Sequence, residues 1–182
     1  MIQKILIDAG MNGRNSCAGR RADAPPSHAY RIGKEVSSVL DTYGYEVLFS
    51  GDVPELSEHG GAGRPTLCAS VAKKWRADAV LRLCVRAAEL PEVGTVNAMA
   101  FRKNTCAWSF AESLVEAVDE GSLLDSQGVR ASPRFLLLRK TPCPCAILVL
   151  ALPFRQKEFL FDTEVKNYAN CIASGVRSWS SC

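Results

Sequence analysis

Short apolar runs of strand length alternate along this chain with stretches whose apolar residues return every third or fourth position. That alternation constrains the fold more than any other feature. A strand buried on both faces reads as a continuous apolar run, whereas a helix buries one stripe. The run 3–8 is the first strand, rich in isoleucine and leucine and closed by Gly10. Pro25-Pro26-Ser27 then reads as a helix start with Ser27 at the N-cap. Ala29, Ile32, Val36, Val39, Leu40 and Tyr43 form one apolar face before Gly44 ends that helix. Residues 45–49 are the next strand, and the turn Gly60-Gly61-Ala62-Gly63 leads into a helix over 67–74. Strands follow at 79–85 and 95–101, and Phe110, Ala111, Leu114 and Val118 mark a helix stopped near Gly121. The runs 135–138 and 146–150 read as the last two strands. Asp162 caps a closing helix whose stripe is Val165, Tyr168, Ile172, Val176 and Trp179. Trp75 and Trp108 also continue apolar helical faces and are read as core. The order predicts an α/β, three-layer fold: a mostly parallel sheet of about six strands with helices on both faces.

The 182 residues suit one compact domain over 1–182, with no repeat, linker or low-complexity segment. Charged residues make up 23% and the net charge is +3, with no basic run. Nucleic acid and membrane surface are therefore not expected partners. The longest apolar run, 146–152, is too short to span a bilayer. The chain opens almost directly on a strand, so no signal peptide is expected and the expected location is the cytoplasm. Eight cysteines are scattered through apolar segments such as Leu83-Cys84-Val85, which reads as reduced, buried thiols rather than a disulfide scaffold. Cys143-Pro144-Cys145 lacks the second pair that a structural zinc site needs.

Six segments in order resemble the zinc-dependent N-acetylmuramoyl-L-alanine amidases, cell-wall hydrolases with a six-stranded sheet. Ile5-Leu6-Ile7-Asp8-Ala9-Gly10-Met11-Asn12-Gly13 resembles the family's opening I-x-I-D-A-G-H-G-G. Residues 76–87 are similar to its A-D-L-F-I-S-I-H-A-N-A. Gln127-Gly128-Val129-Arg130 and Leu138-Arg139-Lys140-Thr141 are similar to R-G-V-K and L-R-N-T. Cys145-Ala146-Ile147-Leu148-Val149-Leu150 resembles P-A-V-L-V-E, and 169–176 the closing A-x-A-I-x-x-G-I helix.

The resemblance implies a zinc site of two histidines and a glutamate, with a second glutamate as general base. Matched position by position, the ligands fall on Met11, Pro25 and Cys84, and the base falls on Leu150. A thioether suits softer metals, proline offers no donor, and leucine cannot take a proton from water. No catalytic residue, no metal and no cofactor are therefore expected. The resemblance also places Met11, Cys84 and Leu150 together in one filled or narrowed cleft.

The reading that follows is a catalytically inactive amidase-like protein with a binding, scaffold or regulatory role. Its expected partners are a peptide or peptidoglycan fragment, or another protein, met at a rim of Arg14, Arg82 and Arg86. The alternative is an active peptidoglycan hydrolase with an unorthodox metal or cysteine site. His28, one turn beyond Pro25, could join Met11 and Cys84 as a ligand set, with zinc as cofactor if that alternative holds. As a nucleophile, Cys84 has no histidine placed by sequence to activate it. His59 lies in a glycine-rich turn and reads as an exposed turn residue.

Overall fold

The computed structural model describes residues 3–9, 27–58, 63–90 and 92–180. Six strands form a single sheet in the order β2-β1-β3-β6-β4-β5. The strands are β1 (Lys4–Asp8), β2 (Glu46–Phe49), β3 (Ala79–Ala87), β4 (Gly94–Ala100), β5 (Leu124–Ala131) and β6 (Cys145–Leu152). Among the helices are α1 (His28–Thr42), α2 (Pro54–Glu58), α3 (Arg64–Trp75), α4 (Cys106–Gly121), α5 (Leu136–Lys140), α6 (Phe154–Glu158) and α7 (Asp162–Ser180).

Neighbouring strands run parallel except β4 and β6, which pair antiparallel. The exception follows from chain length. β3 and β4 flank β6, and only 88–93 join them. So short a link reverses the chain, whereas a parallel return needs a crossover of a dozen or more residues.

Helices cover both faces, as the two periods of the sequence predict. On one face Ile5, Ile7, Leu81, Leu83, Leu148, Leu150 and Leu152 pack under α1, α4 and α7, with Phe110 and Trp179 closing the layer. On the other, Leu6, Val80, Ile147 and Val149 pack under α2, α3 and α5. β6 is buried at every position, which is why it reads as an unbroken apolar run. The helix starts are also chemically written. Ser27 Oγ accepts the Tyr30 N–H, and Thr105 Oγ1 accepts that of Trp108. Asp162 opens α7, and its Oδ1 takes the Arg31 guanidinium at 2.7 Å. Every residue of the predicted α7 stripe is buried. In α1, Ala29, Ile32, Val36 and Leu40 are buried but Tyr43 is exposed, because α1 ends at Thr42.

Among the elements that differ from the sequence reading are α5 and β5. The predicted strand 135–138 is helical, α5, with Leu137 and Leu138 buried and Arg139 and Lys140 in its last turn. Four apolar residues in a row do not distinguish a strand from one buried helical turn. β5 shows no apolar run, since only Leu124 is buried. It is an edge strand paired on one side, with a register shift opposite 96–98 and Gly128 at positive φ.

α7 contacts both α1 and α4, and it meets α4 through glycine. A Cβ on Gly175 would stand 2.7 Å from the Ser113 carbonyl oxygen and 2.9 Å from Leu114 Cα. Both are backbone atoms and cannot swing aside. Alanine gains about 1 kcal/mol of helix propensity over glycine, but separating the helices costs about 1–3 kcal/mol. Gly175→Ala is therefore expected to lower stability in urea unfolding, against the propensity trend.

Candidate functional site

The carboxyl ends of β1, β3 and β6 lie side by side, the end at which open α/β sheets hold ligands. At the end of β1, Asp8 is fully buried and stands in register with Arg82 of β3. Arg82 Nη1 meets its Oδ2 at 2.7 Å, and Arg64 Nη2 meets its Oδ1 at 2.6 Å. Arg64 is the first residue of α3 and is itself buried. Its guanidinium also donates to the Leu56 carbonyl of α2 and, at 3.3 Å, to Ser50 Oγ. Ser50 Oγ in turn accepts the Ala9 N–H. One carboxylate thus holds two guanidiniums and joins β1, β3, α3 and the segment after β2.

The electrostatics follow from that geometry. Burial pushes the Asp8 carboxyl up, but Arg82 and then Arg64 outweigh it and hold the group below its usual 3.8. Burial works against the charged form of Arg82, and Asp8 and the Cys84 sulfur reverse it, so its pKa is raised.

This corrects the expectation for Arg82. It is not a solvated rim charge: 17% of its side chain is exposed, and it is committed to Asp8. Arg86 has 46% of its side chain exposed, and its Nη1 lies 3.9 Å from Glu89 Oε1. Arg14, Met11, Pro25, Cys17 and His59 lie outside the described residues.

The expected meeting of Cys84 and Leu150 is also corrected. In the parallel β3–β6 ladder Cys84 stands opposite Val149, and Leu150 opposite Val85. Successive side chains point to opposite faces. Cys84 accordingly packs on the α3 and α5 face, while Leu150 is fully buried on the α1, α4 and α7 face. A motif match sees the neighbouring strands; the one-residue offset that separates the faces belongs to the ladder.

The donor chemistry can be tested against the zinc that the resemblance implies. It does not fit. Cys84 packs on the α3 and α5 face, two residues along β3 from the Arg82 guanidinium that Asp8 holds. Leu150 lies across the sheet, and the sequence gives a thioether and a proline at 11 and 25. His28 opens α1, half-buried. Among the described residues no three His, Cys, Asp or Glu side chains gather as a metal-holding group.

Arg64 and Ser50 were not legible as site residues. The available signals were Asp8 ending a buried strand, which demands a partner, and Arg82 breaking an apolar run at an alternate position.

No family model matches the sequence, and no curated protein sequence matches it. Solved structures do match in fold. The N-acetylmuramoyl-L-alanine amidase AmiC2 of Nostoc punctiforme superposes with a TM-score of 0.78 at 17% identity, over 99% of this chain and 98% of that one. The catalytic domain of CwlV, an N-acetylmuramoyl-L-alanine amidase of Bacillus (Paenibacillus) polymyxa, gives 0.76 at 18% identity, over 99% of both chains. The CwlD amidase of Clostridioides difficile, solved in complex with the GerS lipoprotein, gives 0.77 at 12% identity, over 98% of both. The architecture predicted from the sequence is therefore the one observed, and it is the fold of amidase catalytic domains.

The buried cluster makes a testable demand. Asp8 has a depressed pKa when folded, so its stabilisation is present above the unfolded value and lost as pH falls through the folded one. Stability should therefore decline below about pH 4. Asp8→Asn leaves two guanidiniums without their carboxylate and should cost about 3–5 kcal/mol at neutral pH. Denaturant unfolding of both proteins from neutral to acid pH checks this: the gap between them should narrow as pH falls.

Proposed function

We propose that this chain, which has the fold of the N-acetylmuramoyl-L-alanine amidases, is a catalytically inactive member of that architecture kept for binding. Its ligand is a carboxylate-bearing peptide or peptidoglycan fragment, or a protein partner, met at the carboxyl ends of β1, β3 and β6. The observation that carries the reading is the burial of Leu150. The position matched to the general base lies inside the core under α1, α4 and α7, in a strand buried along its whole length. Two further observations support it. Cys84, matched to a ligand, packs on the face opposite Leu150, and Asp8 is engaged by two arginines. On the rim, Arg86 offers a guanidinium to an anionic ligand. CwlD, with the same fold, was solved bound to a protein, which is the precedent for the protein-partner branch.

The direct test is release of stem peptide from purified peptidoglycan, with and without zinc, beside cosedimentation with the same material. Retention on peptidoglycan without release is the expected result. Chelator-sensitive turnover by the unmodified chain would overturn the proposal.

Leu150→Glu gives a sharper check. Were the position a vacated catalytic one facing a cleft, glutamate would be tolerated. Buried in the core, an ionised carboxylate costs several kcal/mol or titrates far upward. The variant should lose more than about 3 kcal/mol of stability and gain no activity, as read by thermal unfolding and the peptide-release assay.

A further inference from the structure

β4 runs antiparallel to β6, so its carboxyl end lies beside the amino ends of β6 and β3, at the opposite end of the sheet from Asp8. β5 ends with it: Ala100 pairs with Ala131, and the Ser132 N–H donates to the Ala100 carbonyl at 2.8 Å. α5 closes at the same end, with only 141–144 between it and β6, and Phe101 packs against the apolar cluster that holds Leu137 and Leu138. These segments carry six exposed cations: Arg102 and Lys103 after β4, Arg130 and Arg134 around the end of β5, and Arg139 and Lys140 in the last turn of α5. Lys73 and Lys74, in the last turn of α3, which packs on α5, extend the patch. No carboxylate stands in 94–111 or 126–157 to offset them. Among the described residues none of the six makes an ion pair. The nearby carboxylates are engaged elsewhere: Asp78 accepts the Gln3 and Lys4 N–H groups, and Glu46 takes Lys4 Nζ at 3.0 Å. From this segregation of charge we propose that this end of the sheet docks on an anionic phospholipid surface. The proposal does not depend on the binding role suggested above.

Local sequence does not show this surface, because no segment is a basic run; the β4–β5 pairing and α5 bring the cations together. Three of them are positioned by their neighbours. Arg102 lies over the Phe101 ring, 4.9 Å from its centroid, and Lys103 Nζ lies 5.7 Å from that of Trp108. Arg130 Nη2 meets Met99 Sδ at 3.4 Å. Side chains held in this way lose less freedom on meeting an anion. Phe135 stands among them, 48% exposed, next to Arg134 and one helical turn before Arg139. An apolar ring surrounded by cations suits the headgroup boundary: the charges are drawn to anionic lipid while the ring enters the acyl edge. A strand of nucleic acid fits less well, since the Phe101 and Trp108 faces that would stack bases carry the patch's own cations.

The test is cosedimentation of the full-length protein with vesicles of phosphatidylcholine, alone or with about one-third phosphatidylserine. Binding is expected to the anionic vesicles only, and raising sodium chloride to about 0.5 M should weaken it at least ~tenfold. Arg134→Glu with Arg139→Glu should also weaken it at least ~tenfold. Lys34→Glu with Lys166→Glu makes the same change in net charge at exposed positions of α1 and α7. That pair should leave binding within about threefold of the native value. Phe135→Ser should weaken vesicle binding while leaving retention on phosphocellulose unchanged. Should the Arg134 and Arg139 pair fail to fold, as read by far-UV circular dichroism, Arg102→Gln with Lys103→Gln in the loop after β4 takes its place and should weaken binding at least ~threefold. Equal losses in the two charge-reversed pairs, no preference for anionic vesicles, or capture of a single-stranded oligonucleotide without vesicle binding overturns the proposal. Native binding by Phe135→Ser overturns the part given to the ring.

Discussion

The Asp8 carboxylate is the constraint on which the site end of this molecule is built. A carboxylate removed from water at the end of a buried strand must be paired, since an isolated buried charge costs far more than any single packing contact returns. Two guanidiniums meet it from different directions, Arg82 along the β1–β3 ladder and Arg64 from the first residue of α3. Both contacts need β3 beside β1 in one register and α3 starting over the end of β1. Arg64 extends the requirement to α2 through the Leu56 carbonyl. Such clusters add little net stability relative to a well-packed apolar replacement. What this one supplies is a restriction on which arrangements of the elements satisfy it.

The same ladder separates two cores. Parallel pairing fixes partners residue by residue, and one step along a strand moves a side chain through the sheet. Val85 and Leu150 thus belong with α1, α4 and α7, while Cys84 and Val149 belong with α3 and α5. The polar groups of the site, Asp8, Arg64, Arg82 and Cys84, gather on the second side. Its helices α2 and α5 have five residues each, against fifteen, sixteen and nineteen in α1, α4 and α7. The long helices carry the larger apolar cluster.

Where periodicity spans several turns or a strand is wholly apolar, the sequence is a sufficient guide. The α7 stripe from Val165 to Trp179 and the run of β6 are both seen in the structure as read. It falls short where the deciding term is not local. Leu137 and Leu138 are buried by either a strand or a helical turn, and only the packing of α5 against α3 selects the helix. β5 is polar because it is an edge, and its pairing to β4 is a long-range fact. In the site, Asp8 and Arg82 are each visible as anomalies in apolar runs, yet 74 residues separate them, and Arg64 lies 56 from Asp8. Local pattern cannot say that these three converge; topology and register do.

A shared fold at 12–18% identity is held by the alternation of buried positions, and that alternation is indifferent to what stands at strand ends. A fold shared at this distance therefore does not by itself carry the chemistry at those ends. A cleft organised by a divalent metal and one organised by guanidiniums both present positive charge to an anionic group, and both act over several ångström in a poorly solvated site. A guanidinium, however, has no open coordination position, does not draw the proton from a bound water, and offers donors in a planar fork. On the reading proposed above, such an exchange keeps positive potential, and with it recognition of carboxylates, without hydrolytic assistance.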